Sequence, residues 1–139
     1  GESYEDDSKY KKIIDEEKIN DFFVWENRYV PDNEMNKYFS ACDVVALPYK
    51  SASQSGIIPI AYHFNKPVVA TNVGGLPDMV SNNKTGIIIE PNNPELLANE
   101  IANNLKNKNF SNMYHNINEY KKQFSWQAFI EGIELLIKQ

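Results

Sequence analysis

The sequence has 139 residues, of which 42% are hydrophobic and 24% charged, in the range of an ordinary globular domain of one core. The formal net charge is −5, and the 14 basic residues are spread among 19 acidic ones without a basic stripe, which argues against nucleic acid as a partner. No apolar run reaches the roughly 18 residues of a membrane span, and the single Cys42 has no partner for an internal disulfide, which is compatible with a reducing cytoplasm.

The first 42 residues predict a charged helix, a short strand and a second helix. Apolar residues at helical spacing indicate a weak amphipathic helix over 5–18, and the run 22–25 predicts a strand that continues toward Val30. Pro31 ends that strand, and Asp32 is a suitable N-cap for a helix that runs to Ala41. A doubly wound domain normally begins with a buried strand. Since none precedes the first helix, we expect a fragment of a longer protein.

Three apolar runs predict the strands of a parallel sheet. Residues 44–47, 67–71 and 87–89 lack polar alternation, which is typical of strands buried on both faces. The helix after the first run is predicted to open at Gln54 or Ser55 and to end near residue 64, before a left-handed Asn65.

The last third of the sequence is predicted to be helical. Asn93 is an N-cap with Pro94 in the first turn, and Ser125 caps the final segment. The first of these helices has a predicted buried stripe of Leu97, Ala98, Ile101, Ala102 and Leu105. The final segment has an apolar stripe that we interpret as core or interdomain packing rather than a membrane anchor: Trp126, Phe129, Ile130, Ile133 and Ile137.

This order of elements predicts a three-layer α/β fold. Alternating strands and helices require parallel strands and right-handed crossovers, as in a Rossmann-like sheet. We expect a single domain in which residues 1–106 form the Rossmann-like core and residues 107–139 form C-terminal helices.

The most informative stretch is the small polar loop after the first buried strand. It contains Ser53, Gln54, Ser55, Gly56 and Ile57, at the carboxyl end of a strand and the start of a helix. Unpaired backbone N–H groups in that position bind anions, and open α/β sheets bind phosphorylated ligands at this edge. The loop is therefore a candidate phosphate site.

Other candidates carry weaker signals. Gly74-Gly75 is either a turn that needs positive φ or part of the cleft lining, and it lacks the three spaced glycines of a dinucleotide fingerprint. His63 and His115 have no second ligand nearby in the sequence, Asp43 lies at the amino end of its strand, and Asp78 suits a helix first turn. We expect no metal and no cofactor.

Four stretches, in this order and spacing, match a known pattern: RYVPDNEM at 28–35, YFSACDVVALP at 38–48, PVVATNVGGLPD at 67–78, and TG at 85–86 followed by NPELL at 93–97. The sequence thereby resembles the C-terminal, nucleotide-sugar-binding half of GT-B glycosyltransferases, specifically glycosyltransferase family 4, the group 1 glycosyltransferases. The resemblance covers roughly residues 20–106.

The resemblance implies a retaining transferase that uses a nucleotide-diphosphate sugar, in surface polysaccharide or glycoconjugate synthesis. The loop Ser53–Ile57 would bind the donor diphosphate through its amides, and the base would lie near Arg28, Tyr29 and Val30. The partner would be an N-terminal acceptor-binding domain of the same protein, so this domain is expected to be inactive alone. We expect a cytoplasmic location, with contact to the inner face of a membrane only through the absent half.

One departure from the family pattern concerns two glutamates that usually contact the donor sugar and the ribose. Their positions are occupied by Ala52 and Ile60, so those contacts do not transfer and no catalytic residue is assigned. Gln54 is a candidate replacement for the first. Two alternatives therefore stay open: a non-catalytic GT-B-like nucleotide-binding module, and a phosphate-sensing regulatory α/β domain. The latter needs an aspartate at a strand end, where this sequence has Pro48-Tyr49, Thr71-Asn72 and Glu90-Pro91.

Overall fold

The computed structural model describes residues 6–137, apart from the side chains of residues 123 and 124. The chain divides into two compact units between Tyr38 and Phe39. The predicted start of the first helix, at residue 5, lies outside the described residues. The division predicted at residue 106, and membership in a larger two-domain enzyme, stay predictions.

The first unit contains helix α1 (Ser8–Glu16), a 3₁₀ helix (Asn20–Phe22) and most of helix α2 (Asp32–Ala41). The predicted amphipathic character of α1 is weak, since Ile14 is buried while Tyr10 and Ile13 are exposed. Helix α2 ends at Ala41 as predicted, but Asp32 is its first residue rather than its N-cap, and the Pro31 carbonyl accepts the Glu34 N–H at 2.9 Å.

The strand predicted over 22–25 is wrong. Phe22 ends the 3₁₀ helix, residues 23–27 have no regular secondary structure, and Phe22 and Val24 are 90% and 83% exposed. The Trp25 ring stacks on Tyr10 at 5.9 Å and on Phe23 at 6.0 Å. A strand needs a hydrogen-bonded neighbour, and the described part of this unit offers the segment aromatic stacking instead.

The second unit is an α/β fold with a parallel sheet, as predicted. Its strands are β1 (Val45–Leu47), β2 (Val68–Thr71) and β3 (Gly86–Ile89), hydrogen-bonded in the order β1-β2-β3. Its further helices are α3 (Ile57–His63), α4 (Leu76–Met79), α5 (Pro94–Lys106), α6 (Asn109–Tyr120) and α7 (Trp126–Ile137).

The core surrounds the central strand. All four residues of β2 are buried, as a parallel strand covered on both faces requires. Phe110, Met113 and Ile117 of α6 belong to the same core cluster. Strand β1 is less buried than predicted: it is an edge strand of the three, and Ala46 is exposed although Leu47 is buried.

The two ends of α3 were predicted from local sequence signals with different accuracy. The predicted left-handed Asn65 is confirmed, with φ 56°, and the following Lys66 N–H closes the helix by donating to the Ala61 carbonyl at 2.8 Å. The start is later than predicted, at Ile57 rather than Gln54 or Ser55, because the Ser55 hydroxyl closes its own short turn onto the Ile57 N–H at 3.2 Å.

The predicted stripe of α5 is only partly correct. Leu96, Leu97 and Ile101 pack against the core, whereas Ala98, Ala102 and Leu105 are exposed. The buried face of α5 differs from the predicted one because only the first turns of the helix pack against the core, next to β3.

The C-terminal break is confirmed, since the Ser125 Oγ accepts the Ala128 N–H at 3.2 Å at the start of α7. The apolar stripe of α7 is not core, because every one of its residues is exposed, Trp126 by 80% and Ile137 by 78%. Interdomain packing by this helix stays a prediction.

The N-cap of α5 gives the first testable prediction. The Asn93 Oδ1 accepts the Leu96 N–H at 2.9 Å, so Asn93→Ala removes a partner of an orphan helix donor. We expect the free energy of unfolding to fall by about 1 kcal/mol, measured by urea denaturation. The matched control, Asn99→Ala at an exposed position of the same helix, should leave stability unchanged or slightly raised. Equal losses in both variants would contradict the cap.

Candidate functional site

The loop from β1 to α3 lies at the carboxyl edge of the sheet. Ser53, Gln54 and Gly56 are exposed, whereas Ser55 is buried and its hydroxyl accepts the Ile57 N–H. Of the predicted residues Ser53–Ile57, the structure thus leaves Ser53, Gln54 and Gly56 exposed, whereas the Ile57 N–H is already engaged by Ser55. Because α3 has only seven residues, the individual amides of the loop matter more here than the dipole of the helix.

The Gly74-Gly75 turn packs directly on this loop. The Gly75 N–H donates to the Ser53 carbonyl at 2.9 Å. A Cβ on Gly75 would lie 2.6 Å from that carbonyl oxygen, and a Cβ on Gly74, which has φ +51°, would overlap the carbonyl oxygen of Ala52. The two interpretations of the pair are therefore compatible, since the turn needs positive φ at Gly74 and also borders the candidate loop.

Sequence reasoning missed Thr71, the last residue of β2. Its side chain is buried, and the Oγ1 donates to the Tyr49 carbonyl at 2.6 Å. The signal in the sequence was a hydroxyl at the end of an otherwise apolar run, just where the candidate loop of the neighbouring strand begins.

The same edge carries one exposed carboxylate. The Asn72 side-chain amide donates to Glu90 Oε1 at 3.1 Å, which joins the ends of β2 and β3. Among the residues that the structure describes, no aspartate stands at the end of β1, β2 or β3, since Pro48-Tyr49, Asn72 and Glu90 follow them. The arrangement lacks the residue that a phospho-accepting regulatory domain requires.

Arg28, Tyr29 and Val30 belong to the first unit, which is described by itself. The Arg28 guanidinium bonds Glu26 at 2.9 Å and Glu34 at 2.7 Å, and it also donates to the Tyr38 hydroxyl at 3.2 Å. Its hydrogen bonds raise the pKa of Arg28, and those from Arg28 lower the pKa of Glu34. Arg28 is therefore engaged within its own segment, while the Tyr29 side chain is 69% exposed. A role of these residues in binding a base stays a prediction.

Four further residues were candidates in the sequence, and two of them, His63 and Asp78, line a cavity between α3, α4 and the end of α6. His63, His115, Asp43 and Asp78 are all exposed. Within residues 6–137, no three His, Cys, Asp or Glu side chains are grouped so that they could hold a metal ion. No helix in the same range is long and apolar enough to cross a membrane.

A cavity of about 410 Å³ lies elsewhere, between α3, α4 and the end of α6. The residues that line it include Ile58, Tyr62 and Met79, and none of its lining residues lies in the loop 50–57 or in the Gly74-Gly75 turn. We assign the candidate site to the sheet edge because open α/β sheets bind ligands at the carboxyl ends of their strands, where the exposed loop residues Ser53, Gln54 and Gly56 lie.

Comparison with known proteins identifies the family. Residues 1–124 match the family of glycosyl transferases group 1, and the chain belongs to it. Its parallel sheet and helices are those of a GT-B glycosyltransferase domain. The predicted family and the predicted fold class are therefore confirmed.

Two curated relatives and one solved structure show the extent of the similarity. The chain is 27% identical over 108 residues to an uncharacterized glycosyltransferase, MJ1178, of Methanocaldococcus jannaschii, which matches 77% of this chain and 31% of that protein. It is 31% identical over 99 residues to the D-inositol 3-phosphate glycosyltransferase of Corynebacterium efficiens, matching 70% of this chain and 23% of that protein. Anabaena HepE, solved in complex with UDP, superposes with a TM-score of 0.80 at 19% identity, over 94% of this chain and 36% of HepE. The chain therefore spans about a quarter to a third of these curated relatives.

The glycine turn gives the second prediction. Gly74→Ala places a Cβ on the Ala52 carbonyl in a left-handed conformation, so we expect a loss of about 1–3 kcal/mol in the free energy of unfolding. Urea denaturation measures it. Gly56→Ala, in the same region with φ −68° and no atom within 4 Å of the new Cβ, is the matched control and should change stability far less. Comparable losses would show that the close approach is not what requires glycine.

The third prediction concerns the Arg28 cluster. Since hydrogen bonds from Arg28 are the main cause of the lowered pKa of Glu34, Arg28→Met should raise that pKa toward the ordinary glutamate value. The stabilisation that the pair contributes is present above the ordinary pKa and is lost as pH falls through the lowered one. A carboxyl-carbon NMR titration measures the shift.

Lys37→Met is the control for Arg28→Met, because Lys37 lowers the pKa of Glu34 by charge alone and by less than Arg28 does. It should raise the pKa of Glu34 by less than Arg28→Met does. A larger effect of Lys37→Met would contradict the hydrogen-bonded pair.

Proposed function

We propose that the chain is the donor-binding domain of a retaining glycosyltransferase that transfers a hexosyl group from a nucleotide-diphosphate sugar. Two observations support it: membership in the group 1 family, and a loop with exposed Ser53, Gln54 and Gly56 that is bonded to a glycine turn at the carboxyl edge of the sheet. HepE, whose fold this chain shares, was solved with UDP and with UDP-glucose. A nucleotide sugar is accordingly the proposed ligand.

In this proposal the diphosphate lies at Ser53–Ile57, and the base lies near Arg28, Tyr29 and Val30. Backbone N–H groups of the loop, with the exposed Ser53 and Gln54 side chains, would stabilise the charge that develops on the departing diphosphate. Preorganised donors do this without any proton transfer, so the role requires no catalytic acid or base from this domain. The acceptor would be bound by an N-terminal domain of the same protein.

A setting in cytoplasmic synthesis of a surface polysaccharide or glycoconjugate is part of the proposal. So is inactivity of the domain alone, because a transferase needs both donor and acceptor sites. Contact with a membrane, if the acceptor requires it, would belong to the acceptor-binding half.

A specific observation favours one alternative, a nucleotide-binding module without catalysis. The family's usual glutamate positions are occupied by Ala52 and Ile60, both partly buried, so neither can offer a carboxylate to the sugar or ribose. Transferase activity of the full-length protein separates the two, and Gln54→Ala tests whether Gln54 replaces the first glutamate. An active enzyme that loses activity with Gln54→Ala supports the transferase, and an inactive protein that still binds nucleotide supports the module.

The fourth prediction tests the donor site itself. Titration of the chain with UDP, GDP and ADP, followed by calorimetry and by amide NMR, should show binding of at least one nucleotide. The shifts should concentrate at residues 53–57, which would contact the diphosphate, and at residues 74–75, because the Gly75 N–H is bonded to the Ser53 carbonyl of that loop. The backbone amides of α5 serve as the internal control, and their chemical shifts should not change. Absence of any shift at 53–57 with all three nucleotides would reject the donor site.

A further inference from the structure

We infer that Thr71 is a positioning residue: it sets the orientation of the loop 50–57 without touching the donor. The inference rests on the proposed function for its consequence in binding. Its structural part, a hydroxyl that ties two strand ends together, is independent of which nucleotide the loop takes.

Thr71 extends the pairing of β1 and β2 by one step. The backbone register of the two strands ends at Leu47 opposite Ala70, so Thr71 has no β1 residue opposite it. Its Oγ1 instead donates to the carbonyl of Tyr49 at 2.6 Å, while the Leu47 carbonyl lies at 3.5 Å. A hydroxyl has a single hydrogen to donate, and the shorter contact identifies Tyr49 as the acceptor.

The two strands leave the sheet through matching tight turns. Tyr49 N–H donates to the Leu47 carbonyl and Val73 N–H to the Thr71 carbonyl, each at 2.9 Å. The Thr71 hydroxyl joins one turn to the other. Four residues beyond Tyr49, the Gly75 N–H holds the Ser53 carbonyl in the same way.

These two anchors orient the loop amides. In a trans peptide the C=O and the following N–H point in opposite directions. With the Tyr49 carbonyl directed at Thr71, the Lys50 N–H points away from β2, and with the Ser53 carbonyl directed at Gly75, the Gln54 N–H points away from the glycine turn. Both anchors thus use carbonyls, and neither anchor uses the Lys50 or Gln54 N–H.

The fifth prediction is that Thr71→Val weakens donor binding by loosening the loop. Valine has the same shape and keeps the core filled, but it leaves the Tyr49 carbonyl without its donor. We expect the Kd of the chain for UDP-glucose to rise about tenfold, the equivalent of one hydrogen bond. Amide hydrogen exchange of residues 50–57 should also become faster. Thr71→Ser, which retains the hydroxyl, should restore both.

Thr85 offers a matched control inside the same core. It is as buried as Thr71, and its Oγ1 bonds the Tyr62 hydroxyl at 2.7 Å and accepts the Ser81 N–H at 2.9 Å, away from the loop. Thr85→Val should lower overall stability at least as much as Thr71→Val, yet leave the Kd and the exchange at 50–57 close to those of the wild type.

The outcomes separate this inference from the proposed function. If Thr71→Val and Thr85→Val raise the Kd equally, or if exchange at 50–57 is unchanged in Thr71→Val, Thr71 does not position the loop. If the wild type binds no nucleotide, the proposed function fails, and the exchange comparison alone then decides the role of Thr71. If Thr71→Val does not fold, Thr71→Ala replaces it in the same comparison with the same expected order.

Discussion

The close approach of two backbone segments at the carboxyl edge of the sheet is the constraint on which the candidate site depends. Because β1 and β2 are parallel, their exits lie side by side, and the chain must leave both strands in the same small space. Gly74 and Gly75 make this contact sterically possible, since any Cβ there would meet the Ala52 or Ser53 carbonyl. A backbone N–H and a hydroxyl at the exit of β2 then donate to two carbonyls of the segment that follows β1. These two hydrogen bonds determine the shape of the loop 50–57.

The parts of this fold that were predictable from sequence are those whose signals are local. Asn65 adopts a left-handed conformation and Asn93 caps its helix because each depends on a few neighbouring backbone atoms. The central strand was equally clear, since an unbroken apolar run has no other stable place than a covered sheet. The candidate loop was found by the same reasoning, from small polar residues between a strand and a helix.

The errors arose where burial depends on what lies opposite. Segment 22–25 is as apolar as a strand, yet apolar side chains alone supply no hydrogen-bonding neighbour. The stripes of α5 and α7 have helical spacing, which fixes a common face but says nothing of how much of it is covered. Thr71 was missed for a related reason: its partner, the Tyr49 carbonyl, is distant in sequence and becomes adjacent only through the strand register.

The charges explain why recognition by backbone suits this chain under the proposed function. The net charge is −5, and Arg28 is already shared between two glutamates, so its charge is largely neutralised within its own segment. A diphosphate is then better held by amides, which are neutral, keep their hydrogens at every physiological pH and add no cost of burying a side-chain charge. Ala52 and Ile60 fit the same logic, because carboxylates in their places would repel the phosphates while binding sugar hydroxyls. The absence of these carboxylates removes contacts to the sugar and also removes a repulsion of the phosphates. The loop Ser53–Ile57 is therefore better suited to bind the diphosphate than the sugar.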